Sequence, residues 1–130
     1  MPRTILLVDD ETLVLDIACK KLQNNGYTVL TATNGVEALK VLEKHKPELI
    51  VLDIQMPIMN GYSFLMEIEK RGLMDIPLII LTAFDAMEPI FKRHGIKAYL
   101  MKPLKLDELA KKVDEALNFP PEKLPPTIHQ

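Results

Sequence analysis

Five polar side chains stand where apolar runs stop. "ILLVDDE" runs into Asp9 and Asp10, "LIVLD" ends in Asp53, "LIILT" ends in Thr82, and "AYLMKP" delivers Lys102 followed by Pro103. Brought together, the three carboxylates outnumber the one ammonium, and like charges about 4 Å apart at an effective dielectric of about 20 repel by roughly 4 kcal/mol. A cation is therefore expected among them. The donors are hard oxygens, which suit Mg2+, an ion usually held by one or two carboxylates plus waters and phosphate oxygens. His45, His94 and His129 fall in predicted helix ends or the tail, which argues against zinc. With a divalent ion bound, Lys102 and the Thr82 hydroxyl remain to contact a tetrahedral anion. Phosphoryl transfer needs mostly positioning and charge neutralisation, and these groups supply both. Asp53 is then the expected nucleophile. An isolated aspartate at a strand end is more simply a turn former or helix cap; the joint pattern carries the chemical reading.

The elements that must position these groups are legible as runs and periods. Strands are expected at Thr4 to Val8, Tyr27 to Ala32, Leu49 to Asp53, Leu78 to Thr82 and Ile96 to Met101, all rich in Ile, Leu and Val. Between them lie helical spacings: Leu13, Val14, Ile17, Ala18 and Leu22, with Gly26 as a stop signal; Val36, Leu39 and Leu42; Phe64, Leu65 and Ile68; and Leu106, Leu109, Ala110, Val113 and Leu117. A further helix in "DAMEPIFKRHG" is weakened by Pro89. Apolar strands alternating with helices predict an α/β fold with a five-stranded parallel sheet covered on both faces. In such sheets, ligands bind outside the carboxyl ends of the strands, where all five polar groups fall. Gly35, Gly61 and Gly72 read as turn or cap residues. The domain is expected to span residues 1–119, and "FPPEKLPPTIHQ" to be an extended or disordered tail or linker stub over residues 120–130.

A chain of 130 residues, 48% hydrophobic and 26% charged, is long enough for one domain with a real core. Its net charge of −2 argues against a broadly basic grip on nucleic acid. The single Cys19 forms no internal disulfide, and no signal peptide or membrane-length apolar run is visible, so a cytoplasmic location is expected.

The four motifs "ILLVDDE", "LIVLDIQMPIMNG", "LIILTA" and "AYLMKPL", in this order and at compatible spacing over residues 4–118, resemble the receiver domain of two-component response regulators, the family of the chemotaxis regulator. The resemblance implies a flavodoxin-like doubly wound sheet of strand order 2-1-3-4-5. It implies that Asp53 accepts a phosphoryl group from a sensor histidine kinase or phosphotransfer protein. Asp10, Asp53 and the backbone carbonyl of Gln55 would hold Mg2+, with Asp9 supporting it through water. Lys102 and Thr82 would bond phosphoryl oxygens, and Tyr99 would fill the space behind Thr82. That movement would alter a surface made by the "DAMEPIFKRHG" segment, the fifth strand and the last helix, for an output partner or effector domain. The Lys102-Pro103 peptide is expected to be cis, and the protein to be a monomer or a phosphorylation-dependent dimer. Gln55 and Phe84, two residues after Asp53 and Thr82, would border the path of hydrolytic water, with bulky Phe84 slowing phosphoryl loss.

Two rival functions fit less well. A metal-dependent phosphatase with an aspartyl intermediate usually needs a second carboxylate two residues after the nucleophile, where this chain has Gln55. A constitutive interaction domain would not need the full set of Asp9, Asp10, Asp53, Thr82 and Lys102. Neither GxxxxGK nor GxGxxG occurs to suggest a nucleotide site.

Overall fold

The five apolar runs become five strands: β1 (Thr4–Val8), β2 (Thr28–Ala32), β3 (Leu49–Asp53), β4 (Leu78–Thr82) and β5 (Ile96–Met101). The computed structural model describes residues 3–54, 59, 61–73, 75–82 and 96–118. Among them are four helices, α1 (Thr12–Asn24), α2 (Gly35–Lys44), α3 (Gly61–Lys70) and α4 (Leu106–Asn118). The helix expected in "DAMEPIFKRHG" and the proline-rich tail lie outside the described residues.

All strand pairs are parallel, in the order β2-β1-β3-β4-β5. The chain thus has the flavodoxin-like order that the motifs implied. Every residue of β3 and β4 is buried, as expected for interior strands with a layer on each face. Alternation along the strands divides the core in two. Leu6, Val8, Ile50, Leu52, Leu78 and Ile80 pack with Phe64, Leu65 and Ile68 of α3 and Ala38 and Leu39 of α2. Ile5, Leu7, Leu49, Val51, Ile79 and Leu81 pack with Leu15 and Leu22 of α1 and Leu109 and Val113 of α4.

The α3 and α4 faces are those the spacing predicts, but α1 is rotated. Its buried residues are Leu15, Ala18 and Leu22, whereas Leu13 and Ile17 are 71% and 44% exposed. The sequence carries two apolar stripes about 200° apart, because Leu13 and Leu15 differ by two steps of about 100° each. Either could face the sheet; the second does, packing with Ile5 and Leu7 of β1 and with Leu109 and Val113 of α4. Val36 of α2 is likewise exposed, while Leu39 is buried as the spacing predicts and Ala38 is buried beside it.

The pairing of β5 carries a register shift. Leu78 pairs with Ile96, but Ile79 pairs with Ala98, so Lys97 falls between rungs. From there the ladder runs regularly to Thr82 opposite Met101, and the Lys102 backbone N–H donates to the Thr82 carbonyl at 2.8 Å. The peptide bond between Lys102 and Pro103 is cis.

Candidate phosphoacceptor site

Each polar group that ends an apolar run arrives at the carboxyl rim on one of four adjacent strands. Asp9 follows β1 and is tied across the rim by its N–H to the Ala32 carbonyl at 3.1 Å; Asp53 is the last residue of β3, Thr82 the last of β4, and Lys102 follows β5. Asp9, Asp53 and Thr82 are buried, whereas Asp10 is exposed. Such burial of carboxylates requires compensating partners.

Lys102 provides the compensation. Its Nζ lies 3.1 Å from Asp53 Oδ2, 3.1 Å from Asp9 Oδ2 and 2.6 Å from Glu11 Oε1. Burial opposes the charge on Lys102, but the carboxylates of Glu11, Asp53 and Asp9 outweigh it and raise the ammonium above its usual pKa. Asp9 is oriented further by the Glu11 backbone N–H, which donates to its Oδ1 at 2.9 Å. Lys102 donates to the same Oδ1 at 3.4 Å, while Asp9 Oδ2, though 3.1 Å from Nζ, accepts no hydrogen bond among the described residues.

That oxygen is one observation bearing on a metal. Asp9, Asp10 and Asp53 each offer a carboxylate oxygen, all within 4.8 Å of one another. The donor set is all oxygen, one donor is buried without a hydrogen bond, and one residue is open to solvent for an ion to enter. These properties fit a hard divalent cation.

Tyr99 pairs with Ile80, and its side chain packs on the α2–α3 side of the sheet. Its hydroxyl is buried without a hydrogen-bond partner among the described residues, and burial raises its pKa. Gln55 and Phe84 lie outside the described residues. The sequence reading missed Glu11 as a partner of Lys102. The signal was its place directly after Asp9 and Asp10, where an acid also suits the start of a helix and draws no notice.

The rim is closed by two local devices. Asn34 caps α2, its side chain accepting from the Glu37 N–H at 2.9 Å, while Glu37 Oε1 accepts from the Thr33 N–H at 2.7 Å. These bonds from Thr33 hold the Glu37 carboxyl below its usual pKa. Beside Asp53, the Gly61 N–H donates to the Ile54 carbonyl at 3.1 Å, so α3 begins in direct contact with the end of β3.

A family model described as "Response regulator receiver domain" matches residues 5–114. The chain belongs to this family. The receiver is 39% identical over 115 residues to the probable transcriptional regulator ycf27 of Cyanidium caldarium, a match covering 87% of this chain and 45% of the relative. It is 37% identical over 113 residues to the response regulator MprA of a Mycobacterium species, covering 84% of this chain and 48% of the relative. The receiver therefore spans about half the length of these two curated relatives. Among solved structures, it superimposes on the CheY-like receiver domain protein of Methanospirillum hungatei with a TM-score of 0.81 at 31% identity, covering 91% of this chain and 95% of that one. The chemotaxis response regulator CheY4 of Vibrio cholerae gives a TM-score of 0.79 at 29% identity, covering 90% and 100%. No helix among the described residues is long and apolar enough to cross a membrane.

Proposed function

We propose that this receiver is a Mg2+-dependent phosphoacceptor that takes a phosphoryl group from a histidine kinase or phosphotransfer protein onto Asp53. The observation that carries the reading is the ammonium of Lys102 set 3.1 Å from Asp53 Oδ2, beside an all-oxygen carboxylate cluster. An Asp53 oxygen attacks phosphorus and the new P–O bond forms as the P–N bond to the donor histidine breaks, the electron pair leaving with the imidazole. Reversal to the carboxylate follows when water attacks phosphorus and the acyl P–O bond breaks.

Asp10, Asp53 and the Gln55 carbonyl would hold the ion, with Asp9 acting through water, and a bound ion would neutralise charge on the phosphoryl oxygens. Lys102 bonds one phosphoryl oxygen and Thr82 another. Tyr99 follows Thr82 inward, and the surface around β5 and α4 changes for an output partner. To move the active form from about 1% to about 99%, phosphorylation must favour it by about 5.5 kcal/mol. In this reading the receiver domain spans residues 1–119, and residues 120–130 form a proline-rich tail or linker stub. The same reading has the chain act in the cytoplasm, as a monomer or as a dimer formed on phosphorylation.

The test is incubation of the chain with Mg2+ and a small phosphodonor, followed by intact mass. The expected result is a gain of one phosphoryl group that Asp53→Ala abolishes. No gain with metal present would overturn the reading.

A further inference from the structure

An ammonium has three N–H donors, and in this site three carboxylates divide them. Asp53 and Asp9 belong to the phosphoacceptor cluster already described. Glu11 has no part in that chemistry, yet its contact with Lys102, at 2.6 Å, is the shortest of the three. The side chain of Glu11 is 57% exposed, against 3% for Asp9 and 1% for Asp53. Glu11 occupies the N-cap position of α1 but makes no side-chain cap hydrogen bond, so its carboxylate is not needed to start the helix. What fixes it is its backbone, whose N–H is bonded to Asp9 Oδ1. Of the three carboxylates on the ammonium, Glu11 is thus the one that is solvated.

Resting on the phosphoacceptor reading, we propose that Glu11 is a positioning residue that competes with the phosphoryl group for Lys102 and so limits how readily Asp53 is loaded. With its donors committed, Lys102 must loosen one contact to reach a phosphoryl oxygen. The contact to Asp53 converts in place, because the incoming group sits on that carboxylate. Asp9 is buried and anchored. Glu11 is the partner that water can solvate on release, so the Glu11 contact sets the balance.

The test uses the full chain with Mg2+ and beryllofluoride, a phosphoryl stand-in that cannot be transferred, its binding followed by fluorine NMR. Glu11→Gln should bind beryllofluoride about fivefold more tightly than wild type, the ratio that about 1 kcal/mol gives at 1.36 kcal/mol per tenfold. In a Lys102→Met background, Glu11→Gln should change nothing. An independent readout needs no second substitution. In a chain carrying carbon-13 lysine, the Lys102 side-chain signal should move on beryllofluoride binding, and in Glu11→Gln it should already lie towards that position beforehand. Equal affinities, an unmoved Lys102 signal, or a gain that persists without Lys102 would each overturn the role of Glu11 while leaving the phosphoacceptor reading intact. A wild-type chain that neither binds beryllofluoride nor gains a phosphoryl group would overturn both.

Discussion

Gly61→Ala is expected to damage both stability and phosphoryl uptake, although Gly61 carries no functional group. A Cβ at this position would lie 2.6 Å from Ile54 Cα and 2.7 Å from Ile54 Cγ2. Carbon atoms in favourable contact sit about 3.5–4.0 Å apart, so the start of α3 and the end of β3 must separate by about 1 Å. The atom in the way is backbone and cannot rotate aside. Overpacking of this kind costs about 1–3 kcal/mol, and a backbone clash belongs in the upper half of that range. Against it stands about 0.4–1 kcal/mol from the reduced freedom of the unfolded chain when glycine becomes alanine. The net expectation is a loss of about 1.5–2 kcal/mol, which at a urea slope of roughly 1–3 kcal/mol/M lowers the unfolding midpoint by about 1 M. Ile54 directly follows Asp53, so the same displacement moves the attacking carboxylate. A misplacement of about 1 Å can slow a reaction by about 100-fold, and a partly relaxed shift should slow phosphoryl uptake about tenfold. Gly72→Ala is the control. Gly72 has φ +72° and nothing within 4 Å of where a Cβ would stand, so alanine there strains the backbone by about 1 kcal/mol without touching uptake. Urea titration and timed intact mass measure both effects. A Gly61→Ala chain with wild-type midpoint and wild-type uptake would refute the steric reasoning.

Lys102→Met should lower stability in EDTA by about 3 kcal/mol, because the buried carboxylates of Asp9 and Asp53 lose their cation. Added Mg2+ should restore part of the loss, and identical midpoints with and without the lysine would contradict this. The Tyr27 hydroxyl donates to Asp114, and burial together with that bond pushes its pKa up to about 12 from 10.0. A raised folded pKa means the stabilisation is complete below about pH 10 and is lost as pH rises through about 12. The stability difference between wild type and Tyr27→Phe should therefore be flat from about pH 8 to 10 and shrink above, by urea titration at each pH. Asn34→Ala removes the cap on α2 and should cost about 1 kcal/mol by the same measurement.

The site was legible because an abrupt change from apolar to ionisable is visible in one dimension. Interior parallel strands must be dry, so Asp53 and Thr82 can only be strand ends, and strand ends gather at one rim. The resemblance then assigned them roles. What the sequence could not disclose depended on contacts between distant segments. Both candidate stripes of α1 have helical spacing, and only packing on the sheet and α4 tells them apart. Glu11 looked like an ordinary acid at a helix start until β5 brought Lys102 to it. Gly61 read as a turn residue, whereas its role is to let α3 approach Ile54.

The register shift at Lys97 sets the phase of β5. Without it, Tyr99 and Leu100 would exchange faces, putting the phenol among the α1–α4 side chains and the leucine among those of α2 and α3. The same unbroken ladder would put Leu100 opposite Thr82 and carry Lys102 one residue further past the rim, by about 3.3 Å, the rise per residue in a parallel strand. A single unmatched residue, itself remote from the chemistry, thus keeps the aromatic ring and the cation in step with the carboxylates.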